Sequence, residues 1–190
     1  MTMESQHAAV QRLVPVLQIV GYKNSGKTTL ACRIIEALSA QGLRVGSAKH
    51  DAHLFQLDDP GTDSSKHLLH GAVETVLTSP EATRVMRRSA ASLREIAESM
   101  RGRVDLVIAE GFKSADYPKI ALIRRTADQI TLHKEATNIR LWLSWEEAVE
   151  LQSAASGSRI SPDSPPVLPL RDQALADQAV IALALSLLQS

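Results

Sequence analysis

The sequence predicts an α/β fold, with a mostly parallel central sheet between two layers of helices, and three observations predict it. The first is a strand, a loop and a helix in direct succession. Val14 to Val20 is a short apolar run, Gly21 to Thr29 reads Gly-Tyr-Lys-Asn-Ser-Gly-Lys-Thr-Thr, and Leu30, Ile34 and Leu38 then recur every four residues. The second is the alternation of further short apolar runs, above all Asp105 to Ala109 and Lys119 to Arg125, with stretches of helical character. The third is that two of the runs end in polar clusters, Lys49-His50-Asp51 and Glu110-Gly111. In an open parallel sheet the ligand lies beyond such carboxyl ends.

At 190 residues the chain suits one domain, expected over 13–190, with a flexible tail at 1–12. Lysine plus arginine and aspartate plus glutamate balance at 21 each, so no net field draws in nucleic acid or anionic lipid. Cys32, the single cysteine, excludes an intramolecular disulfide and fits a reducing cytoplasm. Its place in the first helix reads as a small buried thiol. Met1 to Arg12 lacks a signal-peptide core and no apolar run approaches a membrane span, so a soluble protein is expected.

In chain order, Pro15 is tolerable only near the start of the first strand. The helix after the loop carries Ala31 and Ile35 beside its apolar row, with Gly42 at its C-terminal end. Arg44 to Lys49 reads as a second strand. Leu57 to Ser64 is turn-rich around Pro60-Gly61, and Asp63 or Ser64 is expected to cap a short helix through His70, stopped by Gly71. Ala72 to Thr78 and Thr83 to Met86 follow as strands. Ala90 to Met100 has helical spacing at Leu93, Ile96, Ala97 and Met100, and Gly102 closes it. After the strands at 105–109, 119–125 and 140–143, Ser144 suits the cap of a helix with Glu146 and Glu147 in its first turn. Residues 153–169, rich in Ser, Pro and Gly, are expected to be a surface loop. Asp172 caps a last helix whose expected buried face is Leu175, Ala179 and Ala182.

The loop chemistry explains its residue types. Gly21 and Gly26 allow conformations closed to residues with a Cβ, so that N–H groups from Asn24 through Ser25 to Thr28 converge on phosphate oxygens at a helix N-terminus. Lys27 would reach the β- and γ-phosphates, the Thr28 hydroxyl would sit on Mg²⁺, and Thr29 would touch the α-phosphate. Glu110 ends an apolar strand where a second acid could meet that ion directly or through water; otherwise it only caps the next turn. Asp51 either approaches the γ-phosphate and its attacking water or is a solvated loop acid. Asp58 and Asp63 fit a switch segment, or an Asx turn and a helix cap.

Several other groups have plain readings. His50 with His53, and His67 with His70, would need further ligands to hold zinc, so they read as solvated or locally bonded. Arg84, Arg87 and Arg88 read as solvated, with an anion or an acidic partner as the alternative. Lys113 is aimed toward the nucleotide side of the sheet. Trp142 and Trp145 read as core or helix packing residues, with a partner surface as the alternative.

The loop at 21–29, Lys-His-Asp-Ala-His at 49–53, Asp-Asp-Pro-Gly-Thr-Asp-Ser at 58–64 and Glu-Gly-Phe-Lys at 110–113 together resemble one family, the MobB adaptor proteins of molybdopterin-guanine dinucleotide biosynthesis. The resemblance runs from about Val16 to Arg125. It implies a P-loop NTPase-like three-layer sandwich that binds GTP and Mg²⁺, hydrolyses slowly, and assists the guanylyltransferase MobA in joining GMP to molybdopterin. It also implies a cytoplasmic homodimer and leaves direct contact with molybdopterin open. Carried over by position, Gly21, Asn24, Ser25, Gly26, Lys27, Thr28 and Thr29 hold the nucleotide. Thr28, Asp51 and Glu110 serve Mg²⁺, and Asp51 serves the attacking water. Asp59 stands where many relatives carry histidine, Ser64 to His67 is less basic than the pattern, and no Asn-Lys-x-Asp sequence is present to read guanine. The other classes are a P-loop kinase, with Arg84, Arg87 and Arg88 as its lid, and a metallochaperone GTPase, which would need a fuller Cys/His set.

Overall fold

Runs that are apolar on both faces form parallel strands, because only a sheet covered by helices on both sides hides them completely. The computed structural model describes residues 13–51, 53–146 and 164–189; the expected tail at 1–12, Glu147 of the helix after Ser144, and 153–163 of the expected loop lie outside them. The chain divides into two compact units, Asp51–Ser92 and the remainder on either side of it.

In the larger unit, β1 (Val16–Gly21), β2 (Val45–Lys49), β5 (Leu106–Glu110), β6 (Lys119–Ile123), β7 (Ile139–Ser144) and β8 (Val167–Pro169) form one sheet among the described residues. Its order is β2-β5-β1-β6-β7-β8, with every neighbouring pair parallel. Side chains alternate between the two faces. Leu17, Ile19, Leu106, Ile108, Ile120, Leu122, Leu141 and Leu143 share a core with helix α1 (Lys27–Ala40) and the C-terminal helix α5 (Gln173–Gln189). On the other face Val16, Val107 and Ala109 meet Leu93 and Ala97 of α3 (Leu93–Ser99), while Val20, Ala121, Ile123 and Trp142 meet Leu132 of α4 (Thr126–Glu135). This is the expected three-layer α/β sandwich.

Three local expectations are corrected, and one helix, α4, is added. Cys32 is exposed, because it lies on the side of α1 away from the buried row Leu30, Ala31, Ile34 and Leu38. The buried face of α5 is Ala176, Val180 and Ala184, whereas Leu175 is 40% exposed. That helix is apolar nearly all round, so periodicity could not select its inner side. Val167–Pro169, inside the expected surface loop, is a strand paired with Trp142 to Ser144. Helix α4 carried no periodic signal; it is anchored by Leu132 and by the Asp128 carboxylate, which accepts from the Arg124 and Arg125 N–H groups at 3.1 Å each.

The smaller unit holds α2 (Asp63–Leu69) and the antiparallel pair β3 (Glu74–Thr78) and β4 (Thr83–Arg87). Its helix cap is Thr62, whose Oγ1 accepts from Ser65 N–H at 3.2 Å, in place of the expected Asp63 or Ser64. Asp58 fastens the turn. It accepts from Ser64 Oγ at 2.5 Å, Thr62 Oγ1 at 3.0 Å, Asp59 N–H at 2.9 Å and Arg84 at 3.1 Å. The Ser64 hydroxyl, followed by its other donors, holds the Asp58 carboxyl below the usual carboxylate range. Arg84 thus pairs with Asp58 and Arg87 with Glu74, so neither is simply solvated.

Ile34 is fully buried between α1 and the sheet. Ile34→Ala should lower the unfolding free energy by about 2–5 kcal/mol, whereas Cys32→Ala should stay within about 0.5 kcal/mol. Urea denaturation followed by circular dichroism measures both.

Candidate functional site

β1 ends at Gly21, and the chain must turn there against β6. A Cβ on Gly21 would lie 2.6 Å from the Leu122 carbonyl oxygen and 2.7 Å from Ser25 Oγ, so the turn admits only glycine. Gly26, the N-cap of α1, has φ +99°, and Asn24 has φ +60°. The loop is closed by Ser25 N–H donating to Tyr22 O at 3.3 Å. The amides of Asn24 and of Gly26 to Thr29 have no backbone acceptor among the described residues, as expected for a first helical turn. Lys23 to Thr29, with Lys49 and Glu110, line a cavity of about 330 Å³.

Lys27 Nζ donates to Tyr22 O at 2.8 Å, so its partner is a carbonyl of its own loop. Burial pushes the Lys27 ammonium below the ordinary lysine pKa; Glu110 opposes that shift, and Lys49 and Lys113 add to it. The Thr28 hydroxyl donates to Glu110 Oε2 at 2.8 Å. Lys49 Nζ sits 3.2 Å from Glu110 Oε1 and 3.4 Å from Thr28 Oγ1. A hydroxyl and a carboxylate converging on one spot, already neutralised by an ammonium, are a donor set suited to a hard divalent cation.

Three residues at the site are not assigned to it by the sequence. Gln18, fully buried in β1, donates from Nε2 to Phe112 O at 2.8 Å and Gly111 O at 3.1 Å, fixing the turn after Glu110. Its signal was a lone amide inside an apolar strand. Lys49 stands out in the sequence only as part of a polar cluster. Trp145 corrects the packing reading, because its indole N–H donates to Ser25 O at 2.9 Å while its ring stays 38% exposed. Trp142, 2% exposed, is a core residue as expected.

Lys113 lies over the Tyr22 ring, 4.2 Å from its centre, and pairs with Glu135 at 2.7 Å. That pairing holds the Glu135 carboxyl below its ordinary value. The expected site residues Gly21, Asn24, Ser25, Gly26, Lys27, Thr28, Thr29 and Glu110 therefore meet within the larger unit. Asp51 begins the smaller unit, where its Oδ1 accepts from His53 N–H at 3.0 Å. His50 meets the Phe112 ring edge-on at 5.2 Å, and His70 Nδ1 bonds Lys66 O at 2.8 Å. No group of three or more His, Cys, Asp and Glu suited to a metal occurs among the described residues.

The model of the family "Molybdopterin guanine dinucleotide synthesis protein B", MobB, matches residues 16–145. The molybdopterin-guanine dinucleotide biosynthesis adapter protein of Escherichia coli K12 is 34% identical over 121 residues, which are 61% of this chain and 69% of that one. The corresponding Haemophilus influenzae protein is 38% identical over 115 residues, 59% of this chain and 65% of that one. Among solved structures, the MobB homolog from Bacillus stearothermophilus has a TM-score of 0.67 at 29% identity, over 90% of this chain and 98% of the other. The hydrogenase maturation factor HypB from Archaeoglobus fulgidus, at 14% identity and TM-score 0.52 over 92% and 90% of the two chains, shares the fold.

Because the Lys27 pKa is lowered on folding, the unfolded chain holds that proton more tightly. Stability should therefore rise with pH through the window between the folded value and the ordinary lysine value. Lys27→Met should remove this part of the slope. Urea midpoints of the two proteins between pH 8 and 11 test it, and parallel slopes would refute it.

Proposed function

Since the chain belongs to the molybdopterin guanine dinucleotide synthesis protein B family, we propose that it is an adapter in molybdopterin-guanine dinucleotide biosynthesis that binds GTP with Mg²⁺ on the Gly21–Thr29 loop. The observation that carries the reading is the convergence of the amides before α1, Lys27, and the Thr28–Glu110 pair on one cavity. The amides and helix dipole stabilise phosphate charge without rearrangement. Lys27 exchanges a neutral carbonyl for phosphate oxygens, which favours its charged form. Thr28 Oγ1 and Glu110 would hold Mg²⁺, whose part is to offset the triphosphate charge. Lys49 then gives up its contact with Glu110.

On this reading Asp51 orients the attacking water and serves the metal. The protein acts as a cytoplasmic homodimer beside the guanylyltransferase MobA, the enzyme that handles molybdopterin. Turnover is slow, because neither an arginine finger nor a water-positioning glutamine is identifiable in the sequence, and such groups supply large rate factors. Val76 and Val85, a cross-strand pair left 56% and 57% exposed, offer apolar surface to a protein partner on the smaller unit. The kinase alternative loses weight because Arg84 and Arg87, its lid candidates, are engaged by Asp58 and Glu74.

Calorimetric titration with GTP and Mg²⁺ tests the site. Lys27→Ala should weaken binding about ten- to a hundredfold, the worth of a hydrogen bond to a charged group. Glu110→Gln should weaken the Mg²⁺ dependence of GTP binding more than binding measured without the metal. Single-turnover hydrolysis should run below about 1 s⁻¹, the low end of enzyme turnover. Rapid γ-phosphoryl transfer to a metabolite with little hydrolysis would instead favour the kinase.

A further inference from the structure

The carboxyl ends of β6, β7 and β8 frame a second cavity, of about 580 Å³, lined by Asn24, Arg124, Trp145, Glu146 and Arg171. Asn24 also lines the phosphate-loop cavity, so the two spaces share a wall. The frame is tied together by backbone bonds. Trp145 N–H donates to Ile123 O at 3.1 Å and Leu170 N–H to Ser144 O at 2.7 Å, while Glu146 N–H donates to Ser144 Oγ at 3.1 Å. Each lining residue from this edge therefore stands one or two positions beyond a paired strand end. The Trp145 ring is held against the loop by its bond to Ser25 O, and one ring carbon lies 3.5 Å from where a Cβ on Gly26 would be.

We propose that this second cavity takes the guanine base of the nucleotide whose phosphates the loop holds, with Glu146 as the residue that selects it. The proposal rests on the reading of the loop as a triphosphate site. A half-exposed indole fixed beside that loop offers a flat face on which a base can stack. The remaining lining groups match guanine in kind. The Glu146 carboxylate accepts hydrogen bonds only, and guanine presents two adjacent donors, N1–H and the 2-amino group. Arg124 and Arg171 donate only, and guanine presents O6 and N7 as acceptors. Adenine would set the lone pair of N1 against the carboxylate, and its N6 amino group in place of O6 against an arginine. A donor set against a donor, or a lone pair against a carboxylate, is what makes such a site selective.

Binding of GTP, ITP, ATP and inorganic tripolyphosphate to the unmodified protein and to Glu146→Gln tests the assignment. The unmodified protein should prefer GTP to ATP by about tenfold or more, with ITP, which lacks the 2-amino group, weaker than GTP. Glu146→Gln should narrow the GTP to ATP ratio by about ten- to a hundredfold, with the loss falling on GTP. Trp145→Ala should weaken all three nucleotides together by about tenfold, and Trp145→Phe, which keeps a stacking face but lacks the donor to Ser25, should restore most of that loss. Equal GTP and ITP affinities in the unmodified protein, or an unchanged GTP to ATP ratio in Glu146→Gln, would overturn the base assignment while leaving the loop reading intact. Failure of tripolyphosphate to bind the unmodified protein would overturn the loop reading, and this inference with it.

Discussion

The backbone of β1 passes so close to β6 that the Leu122 carbonyl occupies the space a side chain on Gly21 would need. That contact sets the geometry of everything beyond the strand. It allows the chain to leave the sheet at once and curl through Asn24 and Gly26 in left-handed conformations, so that α1, with the unpaired amides of its first turn, starts a few residues after β1 ends. β1 lies between β5 and β6, where the strand order changes direction, and the polar ends of β2 and β5 arrive beside the same loop. A side chain at Gly21 would displace β6 and the register that positions Trp145 further along the edge.

Electrostatics then divides the site into two parts. Lys27 donates to a loop carbonyl, and its partial burial disfavours its charge. Thr28, Glu110 and Lys49 form a self-neutralised cluster that a divalent cation could replace with little rearrangement. Two buried polar groups fix the segment that follows β5. Gln18 holds the carbonyls after Glu110, and the fully buried Lys119 donates to the Tyr117 and Ala115 carbonyls of the following loop. Burial lowers the Lys119 pKa, which marks how far its ammonium has been taken from water. Both residues act through the backbone they fix.

Legibility in the sequence followed the range of the interactions. The glycine-rich loop, β1, α1 and β5 are specified by neighbours within one or two turns of chain: glycines at fixed spacing, an apolar row every fourth residue, an unbroken apolar run. Helix α4 escaped notice because a few anchors, Leu132 foremost, secure a segment that is otherwise polar and exposed. β8 is three residues long and exists as a strand only because β7 is there to pair with it. The inner face of α5 was misplaced for the opposite reason, an excess of apolar residues on every side.

The sequence alone determined the fold class and the glycine-rich turn between β1 and α1, since both follow from local periodicity and from the few residue types that tolerate the required backbone angles. It also singled out Glu110, because an acid ending an apolar strand in a parallel sheet lies at the carboxyl edge, where the structure sets it against the Thr28 hydroxyl. Only the tertiary structure decided that Lys49 neutralises Glu110, that Gln18 fixes the turn behind it, and that Trp145, 120 positions from Ser25, closes the loop from the side. Those contacts join residues far apart in the chain, and pairing across such distances is set by strand order and register, which a single sequence does not encode locally.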